Sequence, residues 1–142
     1  MSIDQLFKAV GFSPNANQRA AILHENGPLF LTAGPGSGKT RVLLWRTVNL
    51  IVCKGVAPER IFLSTFTEKA AHQLKEGLRY LLAIATSKTG QHYDISGMAI
   101  GTVHSIGTRL LQRFAFEAGV SPLVEIIADN DSQQIGRASC RE

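Results

Sequence analysis

The stretch Ala33-Gly34-Pro35-Gly36-Ser37-Gly38-Lys39-Thr40 constrains this chain more than any other. Alternating glycines lose too much backbone entropy to sit inside a helix or strand, so they make a loop. The apolar run 28–33 before it reads as a short buried strand between breakers, and 39–54, apolar at helical spacing, reads as a helix closed by Gly55. Glycines let such a loop turn its N–H groups inward and approach a ligand closely. The helix that starts there adds unpaired N–H groups and the positive end of its dipole, which together favour an anion. The pattern is that of a phosphate loop, in which Lys39 reaches the β and γ phosphates and the Thr40 hydroxyl ligates Mg²⁺. Ala33 stands where the strict pattern has its first glycine. A plain flexible turn is the other reading of these residues, and the flanking strand and helix argue against it.

The rest of the chain alternates in the same way. Helices are expected over 2–10 and 16–25, a strand over 61–65, and a long helix capped by Thr67 and running to about 86. A polar loop over 87–97, a strand over 98–103, a helix over 105–117 and a strand over 123–128 follow, and 129–132 would cap a further helix. Strands alternating with helices predict an α/β fold, a parallel sheet flanked by helices. At 142 residues the chain is one domain or part of one. Its 44% hydrophobic content supports a packed core, while 18% charged residues is low and implies surface that something else covers. Fifteen basic against 11 acidic residues, net +4, suits a polyanionic partner. Cys53 and Cys140 make neither a disulfide framework nor a paired zinc spacing. The start has no signal-peptide pattern, and the apolar stretches 29–31 and 48–53 fall far short of the roughly 18 residues of a membrane span. A cytoplasmic α/β domain with no membrane partner is the expectation.

Three further segments carry candidate chemistry. In Asn15-Ala16-Asn17-Gln18-Arg19, the Gln18 carboxamide matches the donor and acceptor edge of adenine, although an exposed helical glutamine can equally be inert. In Thr65-Phe66-Thr67-Glu68, hydroxyls and helix-start N–H groups suit a nucleic-acid phosphate, and Phe66 offers a face for a base. The competing reading puts Phe66 in the core and leaves Thr67 as a cap only. Gly101-Thr102-Val103-His104-Ser105 repeats that arrangement after the next strand. In a parallel sheet both segments share the carboxyl edge with the phosphate loop, so nucleotide and polymer would bind side by side.

In this order and spacing, the four segments resemble the Q motif and motifs I, Ia and Ib of UvrD/Rep/PcrA-type superfamily 1 DNA helicases. The resemblance runs from about Ser13 to Gln134, and the segment from Leu123 to Gln133 looks like the one preceding that family's inserted 1B subdomain. Glu68 and Val103 stand where Asn and Phe are common in the family, so a RecB- or AddA-like helicase-nuclease subunit also fits. The resemblance implies a partial RecA-like domain (1A) of an ATP- and Mg²⁺-dependent motor that moves 3′ to 5′ on single-stranded DNA and separates duplex at a junction. It implies that Gln18 reads adenine and that Ala33, Gly34, Pro35, Gly36, Ser37, Gly38, Lys39, Thr40 and Arg41 hold the triphosphate, Lys39 and Thr40 being the catalytic pair. It further implies that Thr65, Phe66, Thr67, Thr102 and His104 track the DNA.

The C-terminus points to a fragment. The octapeptide 135–142, Ile-Gly-Arg-Ala-Ser-Cys-Arg-Glu, can be reverse-translated as ATCGGAAGAGCGTCGTGTAGGGAA, which matches sequencing-adapter read-through. Residues 1–134 are therefore expected to be the natural N-terminal part of the ATP-binding domain, cut before 1B, and 135–142 a non-native tail. No Asp-Glu pair follows an apolar strand to hold Mg²⁺ and orient water, and no arginine finger can be placed; the latter alone is worth about 10³–10⁵ in rate. The fragment is expected to be inactive without the remainder of its helicase chain. A GTPase would show Asn-Lys-x-Asp and a transporter ATPase Leu-Ser-Gly-Gly, and neither occurs. An ATP-binding module without motor activity is the remaining alternative.

Overall fold

Helix α1 (Ile3–Val10) forms where the sequence supplies both of its ends. The Gln5 side chain accepts from the Ser2 N–H at 3.1 Å, and Gly11 takes φ 65°, letting Phe12 N–H reach the Phe7 carbonyl at 2.9 Å. The computed structural model describes residues 1–34 and 36–121. The expected strand 123–128, the cap at 129–132, the tail 135–142 and Pro35 lie outside the described residues.

Helix α2 (Ala16–Leu23) opens on a reciprocal cap, with Asn15 Oδ1 accepting from Gln18 N–H at 2.9 Å and Gln18 Oε1 accepting from Asn15 N–H at 3.1 Å. Helix α3 (Lys39–Val48) starts at the glycine loop and runs on into a π-helical turn, Asn49–Cys53. After a short 3₁₀ turn, Pro58–Arg60, the chain enters β1 (Phe62–Thr65). The long helix α4 (Glu68–Thr89) is capped by Thr67, whose hydroxyl accepts from Ala70 N–H, and ends on Gly90 at φ 71°. Strand β2 (Ala99–Thr102), α5 (Val103–Arg113) and α6 (Ala115–Ala118) complete the described chain.

The sheet is parallel, as the alternation predicts, and has two strands, β1 and β2, with Phe62 opposite Ala99 and Thr65 opposite Thr102. The fold is a mixed helix and strand arrangement in which α4 packs on both strands and on α3. Its core is built from Val42, Trp45 and Val48 of α3, Leu74, Leu78 and Leu82 of α4, and Leu6 and Phe7 of α1. Trp45 sits at its centre, 1% exposed, edge-on to Phe7 at 4.9 Å and stacked on Phe12 at 5.3 Å. Gly77 lets α4 approach α3 closely, since a Cβ there would lie 2.8 Å from Leu44 Cδ1.

One element departs from expectation. Residues 28–33 are not a strand; they run as irregular chain, with Leu29 43%, Phe30 91% and Leu31 45% exposed. An apolar run becomes a strand only when a neighbour takes its N–H and C=O groups, and β1 and β2 pair with each other alone among the described residues. The other differences are at boundaries. Helix α5 begins at Val103 because the Thr102 hydroxyl accepts from Ser105 N–H at 3.2 Å, and Phe114, at φ −113° and ψ 29°, separates it from α6.

Candidate functional site

The loop before α3 has the backbone that an anion site needs. Gly36 and Gly38 take φ 73° and 80°, left-handed values that carry a steric cost for other residues. Gly38 is the N-cap of α3 and has no side chain to offer, and the first helical bond to it comes from Val42 N–H at 3.0 Å. The first-turn amides of α3 are thus left for an external acceptor, at the positive end of the helix dipole. Ser37 steadies the turn by donating from Oγ to the Gly34 carbonyl at 2.7 Å.

Lys39 Nζ folds back on the same loop, donating to the carbonyls of Ala33 at 2.6 Å and Gly34 at 3.1 Å. The ammonium is exposed and held at the loop mouth by neutral acceptors. A phosphate oxygen, being charged, makes a stronger hydrogen bond to the same group.

Gln18 comes to this loop from α2. Its Nε2 donates to the Ser37 carbonyl at 3.2 Å, while its Oε1 completes the α2 cap. Gln18, Asn17, Leu31, Ala33, Ser37 and Lys39 line one cleft of ≈ 230 Å³. Both ends of the carboxamide therefore already have protein partners, which the simple picture of a free adenine reader did not anticipate. Asp4 binds Arg19 through two contacts, 2.5 and 3.0 Å, and so ties α1 to the helix that carries Gln18. The Arg19 hydrogen bond holds the Asp4 carboxyl below the usual carboxylate range.

Thr40 and Arg41 occupy the exposed first turn of α3 and do not line the cleft. The Arg41 guanidinium lies over the Phe12 ring, 4.5 Å from its centroid, a cation–π contact. Thr40 is the only sequence-predicted Mg²⁺ ligand, and among the described residues no group of three His, Cys, Asp or Glu side chains could hold a metal. The donor set present therefore suits Mg²⁺ only as a companion of nucleotide phosphates.

The other candidates cluster on the sheet. Thr65 and Thr102 are register partners at the carboxyl ends of β1 and β2, so Phe66-Thr67 and Val103-His104 leave the sheet side by side. Phe66 is 99% exposed and takes no part in the core of the described residues. Thr65 Oγ1 donates to the Thr67 carbonyl at 2.9 Å, and Thr67 and Thr102 each cap a helix. His104 is exposed in the first turn of α5. Because 28–33 is outside the ladder, the sheet itself joins only these two segments.

Sequence reasoning missed Arg46 and Asn49. Arg46 Nη1 donates to the carbonyls of Ala21 at 2.7 Å and His24 at 2.6 Å, and Asn49 Nδ2 donates to the Ile22 carbonyl at 3.3 Å. In a linear reading a helical Arg resembles any solvated charge, and only the distance of 25 residues between partners hides the contact.

Comparison with known proteins gives a consistent picture. Residues 14–141 match the model of the UvrD/REP helicase N-terminal domain. Over 101 residues the chain is 43% identical to the ATP-dependent DNA helicase SRS2 of Saccharomyces cerevisiae, covering 70% of this chain and 8% of that protein. It is 39% identical over 98 residues to a probable DNA helicase II homolog of Rickettsia conorii, covering 69% of this chain and 13% of the relative. It is 36% identical over 121 residues to the ATP-dependent DNA helicase PcrA of Staphylococcus aureus, covering 85% and 15%. The chain thus spans between 8% and 15% of the length of these relatives.

Proposed function

The chain belongs to the family of UvrD/REP helicase N-terminal domains, and from that premise we propose that it is the N-terminal part of the ATP-binding domain of a DNA helicase, a RecA-like 1A domain cut before 1B. In this reading residues 1–134 are natural, 135–142 are the adapter-derived tail, and the parent chain is cytoplasmic. Among the described residues no helix is long and apolar enough to cross a membrane.

The observation that carries the reading is the meeting of Gln18, Ser37 and Lys39 in one cleft at the uncapped start of α3. In the proposed site the α3 amides and the Gly34–Gly38 backbone hold the phosphates, and Lys39 exchanges its two loop carbonyls for phosphate oxygens. Thr40 would hold a Mg²⁺ brought with the nucleotide, and the ion would offset the charge of the phosphates. Gln18 turns its carboxamide to adenine, and Arg41 leaves Phe12 to join the triphosphate. Thr65, Phe66, Thr67, Thr102 and His104 form the track for single-stranded DNA. Hydrolysis needs a carboxylate pair and an opposing domain, so turnover belongs to the complete helicase and not to this piece. A RecB- or AddA-like parent differs in attached domains and uses the same cleft.

The parent gene, sequenced past Gln134 and expressed whole, tests the direction of travel. With ATP it should separate duplexes that carry a 3′ single-stranded tail and leave those with a 5′ tail paired. Preference for the 5′ tail, or ATP binding without strand separation, overturns the motor assignment in favour of the opposite polarity or a non-motor module.

A further inference from the structure

Helix α2 is held at both ends by groups that belong to the nucleotide element. At its C-terminal end the last-turn carbonyls need partners, and α2 has no basic residue of its own there. Arg46 supplies two bonds, to Ala21 and His24, and Asn49, 2% exposed, supplies a third, to Ile22. Both donors lie on α3 and its extension, the helix whose first turn is the phosphate loop. Asn49 opens the π turn, where the wider backbone turn shifts the residues that follow. At its other end α2 touches that loop again, through Gln18 Nε2 on the Ser37 carbonyl, and a Cβ on Gly38 would meet the same nitrogen at 3.2 Å. The contact at Ser37 therefore depends on how far α2 slides along α3, and Arg46 fixes that distance.

We infer that Arg46, assisted by Asn49, is a positioning residue of the nucleotide site: by capping α2 from α3 it sets where Gln18 meets the phosphate loop. The inference rests on the reading of this cleft as the ATP site. Arg46 touches neither loop nor cleft; it acts through Gln18.

The test uses the complete 142-residue chain as wild type, Arg46→Ala, Arg46→Lys, Gln18→Glu and the Arg46→Ala/Gln18→Glu double variant. Gln18→Glu keeps the acceptor for Asn15 N–H and removes the donor to Ser37. Two readouts are taken: hydrogen exchange of the Ser37 and Val42 amides, which bond the Gly34 and Gly38 carbonyls, referenced to those around Leu78, and the ratio of ATP to GTP affinity by competition with a fluorescent ATP analogue. Arg46→Ala should speed loop exchange about fivefold relative to the Leu78 region, the equivalent of one hydrogen bond, and lower the ATP to GTP ratio. Arg46→Lys, whose ammonium can donate to both carbonyls, should recover most of both effects. Gln18→Glu should loosen the loop equally, and the double variant should add nothing, because both changes break one path. Equal acceleration in the loop and around Leu78, or additive effects in the double variant, overturns the inference and makes Arg46 a general stabiliser. If Arg46→Ala does not fold, Arg46→Gln, which keeps a donor for one carbonyl, carries the same comparison. Loosening by Gln18→Glu with an unchanged ATP to GTP ratio rejects Gln18 as the adenine reader, while the exchange data still decide the role of Arg46.

Discussion

Phe66 separates two kinds of work that one aromatic ring can do. A buried ring holds a core together, whereas a ring 99% exposed between Thr65 and the cap of α4 is outside the core formed by the described residues. In the complete helicase Phe66→Ala should weaken single-stranded DNA binding by about 1–3 kcal/mol, the usual worth of one base–aromatic stack. Its melting temperature should stay within a degree or two of wild type, because surface truncations of this kind cost little. Fluorescence anisotropy and thermal unfolding on the same variant check both halves, and a large loss of stability with unchanged DNA affinity contradicts the assignment. Thr67 was legible in the sequence as a helix cap and is one; Thr102, expected inside a strand, is a cap as well. Their expected contacts with phosphate remain a separate proposal, since a hydroxyl that accepts from a backbone N–H can still donate outward. Gln18 was legible as a residue of the proposed nucleotide cleft, but its bond to Ser37 was not, because a contact spanning 19 residues leaves no local pattern.

The elements divide in the same way between local and distant causes. Helices α1, α3 and α4 follow from apolar spacing, caps and glycine stops, all of them short-range signals. The irregular course of 28–33 follows from the lack of a pairing strand among the described residues, and the π turn at Asn49–Cys53 carries no short-range signal; periodicity registers neither. An apolar run looks the same whether or not a neighbouring strand is there to pair with it. Packing of α3 is where local pattern and tertiary structure agree most closely. Trp45 is 1% exposed, stacks on Phe12, meets Phe7 edge-on and shares its core with α4. Trp45→Ala should cost about 3–5 kcal/mol, as large buried aromatic truncations do. Because Phe12 also carries Arg41, the loss should loosen the joint between α1 and α3 first. Urea unfolding measures the total, and a cost below about 1 kcal/mol would mean that Trp45 is not the centre of the core.

At the scale of the whole molecule, the proposed nucleotide cleft and the proposed DNA track lie on a chain that spans 8% to 15% of the relatives it matches. The low charged fraction, 18%, and the exposed Leu29, Phe30 and Leu31 describe a surface suited to cover by further chain. What joins the proposed parts is the phosphate loop, and within it Lys39, whose ammonium waits on the Ala33 and Gly34 carbonyls. The role of Lys39 is tested by ATP hydrolysis of the complete helicase, with and without single-stranded DNA, compared between wild type and Lys39→Ala. The variant should lose DNA-stimulated turnover while its circular dichroism and melting temperature are unchanged, since the proposed role of this exposed loop lysine is to stabilise transferred phosphate charge rather than the fold. Turnover retained within about tenfold of wild type would contradict it, because removing a group that stabilises the transferred phosphate costs more than that.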